Sequence, residues 1–166
     1  MHKLIIVAAL ALTASLALTA CNKDSGQDTS QQTAQQVTKP TDPNDAKAWN
    51  AYLGQIVQKN MKDMTANQPY AYLVKAPLNE EATEQNGRQL QNVRDTVARG
   101  VLPGNMLVFA GPDSNTTADL VIAAFKDASA GAFKGVIVLF IGDSKDQQRV
   151  EEALTPTGAT IRFVAM

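Results

Sequence analysis

Two short polar clusters carry the side chains in this chain that could do chemistry. Asp113, Ser114 and Asn115 follow the apolar run 106–110, and Asp143, Ser144 and Lys145 follow the apolar run 136–141. A hydroxyl set among carboxylates, an amide and a cation can hold an anion or a small polar ligand, and becomes a nucleophile only where a base lies within hydrogen-bond reach. The commonest such base is His, yet the chain's single His is His2 and its single Cys is Cys21. Neither cluster has the glycine spacing of a phosphate-binding fingerprint. The same side chains also suit helix capping, with Asp113 or Ser114 opening one helix and Ser144 with Gln147 forming a capping box on the next. The sequence therefore predicts no catalytic residue, no metal ligand and no cofactor. It leaves Asp113, Ser114, Asn115, Asp143, Ser144 and Lys145 as a possible ligand-binding set, with capping as the simpler role.

The elements that would position these residues follow from apolar patterning. Val136–Ile141 lies between Gly135 and Gly142 and is uniformly apolar, as is Met106–Ala110. Runs this short and this apolar read as strands buried on both faces, as in a parallel sheet covered by helices. Upstream, Trp49, Tyr52, Leu53, Ile56, Val57, Met61 and Met64 make one stripe of a helix over about 44–65, with Asp42 as cap and Pro43 in its first turn. That stripe is either core packing or a partner-binding face, and its regularity and mixed polar face favour core. Residues 70–74 read as a strand with Pro69 at its start, and Glu80, Glu81 and Glu84 as a solvated first turn after Asn79. Beyond Asn86-Gly87, Leu90, Val93 and Val97 mark a helix ending at Gly100. Further helices carry Leu120 to Ala128, stopping near Gly131, and Val150 to Leu154, stopping at Pro156. The expectation is an α/β fold: a small four-strand, mostly parallel sheet with flanking helices, 106–110 and 136–141 central, 70–74 and 160–165 outer.

The chain has 166 residues and a formal net charge of −1, with no Lys/Arg run. Nucleic acid is thereby excluded as an expected partner, since its binding needs a clustered basic surface. Met1-His2-Lys3, the apolar run Leu4–Leu12 and the small residues to Ala20 make a secretory signal. Leu18-Thr19-Ala20-Cys21 at its end resembles the lipobox of bacterial lipoproteins. That resemblance implies acylation of Cys21, which becomes the first residue of the mature chain, and stable membrane attachment through two or three fatty chains. Asn22 in place of Asp resembles lipoproteins destined for the outer membrane. The expected organisation is a signal peptide at 1–20, a lipidated Cys and flexible linker at 21–41, and a single α/β domain at 42–166. The linker is Gln-, Ser- and Thr-rich, cannot bury enough surface to offset its ordering, and would span roughly 25 Å as a coil.

Val138-Leu139-Phe140-Ile141-Gly142-Asp143-Ser144 resembles the strand-Gly-Asp-Ser block of GDSL-type esterases, which implies a nucleophilic Ser144. The family also needs a downstream Asp and His, and no His follows Ser144. The functional expectation is a non-catalytic, membrane-anchored envelope lipoprotein, on the periplasmic face of the outer membrane, whose domain binds a protein or glycan partner. The alternative is a small-ligand binder or hydrolase working at the carboxyl ends of the central strands.

Overall fold

The computed structural model describes residues 38–166. The expected signal peptide and Cys21, and the linker up to residue 37, lie outside the described residues. Helix α1 (Ala46–Lys59) is followed by β1 (Tyr70–Leu73), α2 (Glu80–Arg99), β2 (Met106–Ala110), α3 (Ser114–Phe125), β3 (Ile137–Gly142), α4 (Ser144–Leu154), a 3-10 turn over Thr155–Thr157, and β4 (Thr160–Ala165). The sheet has four strands in the order β1-β2-β3-β4, and every pairing is parallel. The α/β reading and the choice of central strands hold, and the sheet is wholly rather than mostly parallel.

The two apolar runs explain why β2 and β3 are central. Every residue of both is buried, so each must have a neighbour on either side and a layer on either face. On one face Leu107, Phe109, Val138 and Phe140 meet Val93 and Val97 of α2, Val121 and Phe125 of α3, and Val150 and Leu154 of α4. On the other, Met106, Val108, Ile137, Leu139 and Ile141 meet Trp49 and Leu53 of α1. At about 1.5–3 kcal/mol for each fully buried side chain of this size, the paired faces of these two strands dominate folding. Trp49 is 2 % exposed, so the α1 stripe is core.

Four local expectations are corrected. Helix α1 is capped by Asp45, whose carboxylate accepts from the Ala48 N–H at 2.9 Å. Asp42 instead accepts from the Asn44 N–H through its side chain and from Trp49 Nε1 through its carbonyl. The same helix ends at Lys59 rather than near 65. Arg162 of β4 donates to the carbonyls of Asn60 and Lys62, both at 2.6 Å, and to the Asp63 carboxylate, which draws that backbone out of the helical path. The second helix is not confined to the residues beyond Asn86-Gly87; α2 runs unbroken through that pair from its Asn79 cap. Helix α3 stops at Phe125, with Ala128 folded back in a turn onto the Phe125 carbonyl.

Candidate functional site

In open α/β sheets ligands settle beyond the carboxyl ends of the strands, in the crevice made where the strand order reverses. Here the order runs 1-2-3-4 without reversal, and α2, α3 and α4 all pack on one face. The loops after β2 and β3 therefore do not diverge around a crevice; they are laced together.

The lacing centres on Ser114, in the first turn of α3 and 4 % exposed. Its Oγ donates to Asp146 Oδ2 at 2.5 Å and accepts from the Asp143 N–H at 2.7 Å. Asp146, 3 % exposed, accepts at its other oxygen from Arg149 Nε at 2.9 Å. Arg149 reaches back across to α3, donating to Asp119 and to both the carbonyl and the side-chain oxygen of Asn115, the latter two at 3.1 and 3.0 Å. Burial pushes the Asp146 carboxyl up, but the Ser114 hydroxyl, Arg149 and Lys145 outweigh it and hold the group below the ordinary carboxylate range. The Asp119 carboxylate, joined by Asp146, raises the Arg149 guanidinium against the cost of burial.

Two glycines make this closeness possible. A Cβ on Gly142 would lie 2.6 Å from Ser114 Oγ and 2.6 Å from the Phe140 ring, and one on Gly111 would lie 2.2 Å from the Val74 carbonyl oxygen. Both loops thus need a bare backbone for contact between neighbouring strand ends, and no ligand has to be invoked for either glycine.

The six residues singled out in the sequence do come together at this rim, Asp113 in the capping role expected for that helix and the others in different ones. Asp113 caps α3, accepting from the Thr116 N–H at 2.7 Å. Asn115 serves the Arg149 clasp. Asp143, not Ser144, occupies the cap position of α4, and its side chain makes no capping bond. The expected Ser144–Gln147 capping box is absent: Ser144 is the first helical residue and exposed, and Gln147 donates to Glu151. The Asp143 N–H is held by Ser114, which takes over the anchoring that Ser144 was expected to provide. Lys145 lies 3.7 Å from Asp143 as an exposed ion pair. Asp119, Asp146 and Arg149 escaped the sequence reading. The spacing of Asp146 and Arg149 fits one helix face, but the link to Ser114, 32 residues away, has no local signature.

A separate cleft of about 200 Å³ opens at the carboxyl end of β1, between the N-terminal turns of α1 and α2, lined by Asn44, Trp49, Lys75, Asn79, Gln85 and Pro112. Both helix N-termini beside it are capped, by Asp45 and Asn79, and α2 carries Glu80 and Glu81 in its first turn. Their charge offsets the positive helix end that would otherwise attract an anion. Among the described residues no group of three His, Cys, Asp or Glu side chains is placed to hold a metal ion. No helix among them is long and apolar enough to cross a membrane. Comparison with protein-family models, with curated proteins and with solved structures finds no match to this chain.

Proposed function

We propose that this chain is a membrane-anchored lipoprotein of the cell envelope whose α/β domain binds a protein or glycan partner and catalyses no reaction. The observation that carries the non-catalytic reading is the state of Ser114. Its hydroxyl is buried and its donor and acceptor roles are both taken within the chain, by Asp146 and by the Asp143 N–H. The carboxylate beside it is held below the ordinary carboxylate range, against the cost of burial, by the Ser114 hydroxyl and Arg149, which makes it a poor base at neutral pH, because a general base works best when its pKa lies near the working pH. Ser144 is exposed and no His follows it in the chain, so its hydroxyl has no imidazole base to activate it.

The anchor rests on Leu18-Thr19-Ala20-Cys21 standing directly behind an apolar signal-like run. Asn22, in place of Asp, supports the periplasmic face of the outer membrane as the destination. The test is Cys21→Ala expressed beside the natural chain with labelled palmitate. Label and membrane retention should both be lost in the variant; retention of both would refute the lipoprotein reading while leaving the domain's role open. Retained partner binding by Ser114→Ala and Ser144→Ala would support the non-catalytic module.

A further inference from the structure

Strand β1 is an outer strand, and among the described residues nothing pairs with its free side. The Val74 N–H donates to the Ala110 carbonyl at 2.8 Å, which sets the phase of the parallel ladder. Tyr72 and Val74 turn their backbone groups toward β2, so Ala71 and Leu73 turn theirs outward. Lys75 shares the outward phase, but Asn86 already serves both its groups, accepting from the N–H at 2.9 Å and donating to the carbonyl at 2.8 Å. Pro69, also in that phase, has no N–H to offer.

We infer that this edge pairs antiparallel with β1 of a second copy of the chain, about a two-fold axis at Tyr72. In that register Ala71 faces Leu73 of the second copy and Leu73 faces its Ala71, giving four backbone hydrogen bonds from the outward groups. Past these four bonds the two chains must part, because Asn86 already fills the place opposite Lys75. The second copy reaches that point at Pro69, which has no N–H to lay against an edge, so the pairing ends at the same place on both sides of the axis. Sliding by two residues in either direction sets Ala71 or Leu73 against Lys75 or Pro69 and forfeits part of the ladder, so the edge selects its own copy in one register. Charge agrees: the stretch from Gln68 to Val74 is uncharged, and no like charges are brought opposite each other.

The surroundings of the strand fit the same occupant. A largely apolar groove of about 320 Å³ runs between β1 and α1, lined by Leu53, Gly54, Val57, Met61, Ala71 and Leu73. Gly54 has nothing within 4 Å of a Cβ position, so the groove is open on its α1 side. The two-fold sets the Ala71 and Leu73 side chains of both copies side by side at this groove. Tyr70, 49 % exposed and so a large apolar side chain left in water, is covered on the opposite face of the sheet.

The test is sedimentation of the full chain, solubilised in detergent, over about 1 µM to about 1 mM, the range in which a small interface dissociates. It is combined with amide exchange read at single residues. The expected result is a monomer–dimer equilibrium in which the Ala71 and Leu73 amides slow with concentration while the Lys75 amide is protected throughout. Ala71→Pro removes two of the four intermolecular donors without touching the ladder to β2 and should weaken the dimer at least tenfold. Should Ala71→Pro unfold, Ala71→Glu, which sets a carboxylate beside Leu73 of the second copy but leaves it in water in the monomer, should do the same. A chain that stays monomeric, or a dimer that neither variant weakens, overturns the inference. So does protection of Ala71 and Leu73 that does not change with concentration, which would mean that the chain's own N-terminal segment covers the edge.

Discussion

The side-chain amide of Asn86, midway along α2, closes on both backbone groups of Lys75, just past the end of β1. It imitates one residue of a neighbouring strand. A helix thereby terminates a sheet edge chemically as well as sterically, and among the described residues leaves Ala71 and Leu73 as the unpaired residues of that strand's edge. Edge strands are open templates for further pairing, and blocking one end shortens the template.

Replacing Asn86 by Ala should cost about 1 kcal/mol, since two net hydrogen bonds are lost while Ala is the better helix former. Urea unfolding gives the loss, and amide exchange at Lys75 should rise from protected to fast. Asn86→Asp should cost more than Ala, because a carboxylate accepts from the Lys75 N–H but repels its carbonyl.

Gly87 and Gly111 should respond in opposite directions to the same change. Gly87 lies inside α2 with nothing within 4 Å of a Cβ, so Gly87→Ala should stabilise by about 0.5–1 kcal/mol. Gly111→Ala would drive a methyl into the Val74 carbonyl and should cost about 3 kcal/mol or more, as overpacking against backbone does. Paired thermal melts decide both.

These glycines also show what the sequence could convey. The strands β2 and β3 were legible because burial on both faces imposes an unbroken apolar run, and the α1 stripe because burial on one face imposes helical spacing. Asn86-Gly87 has the composition of a turn, yet α2 runs through it, since Leu90, Val93 and Val97 pack on the sheet and the Asn86 amide is occupied at Lys75. The end of α1 was equally hidden, because Arg162, about a hundred residues away, competes for the Asn60 and Lys62 carbonyls. Local composition reports local preference; contacts this distant in sequence leave no periodic trace.

The same limit reassigns the important hydroxyl at the strand ends from Ser144 to Ser114. Ser144→Ala should change stability by no more than a few tenths of a kcal/mol, being exposed and making no cap bond. Ser114→Ala should cost about 1–3 kcal/mol, because it strands the Asp143 N–H and takes one partner from a buried carboxylate. Equal losses in chemical denaturation of the two variants would contradict the hydrogen-bond pattern at this rim.

Acid sensitivity follows from the third member of that rim. The Asp146 carboxyl is lower in the folded chain than the value of about 3.9 expected when unfolded. A depressed carboxyl contributes stability that is fully present above the unfolded value and is lost as pH falls through the folded one, where the unfolded state binds the proton first. Part of the domain's stability should therefore disappear as pH drops below about 4. In Asp146→Asn this contribution is removed, so the variant should be weaker than the natural chain at pH 7 and the gap should narrow as both are acidified. Urea midpoints measured from pH 7 to pH 3 give the comparison. A gap that stays constant over the whole range would mean that Asp146 is not held ionised by Ser114 and Arg149, and the account of why this carboxylate makes a poor base would fall with it.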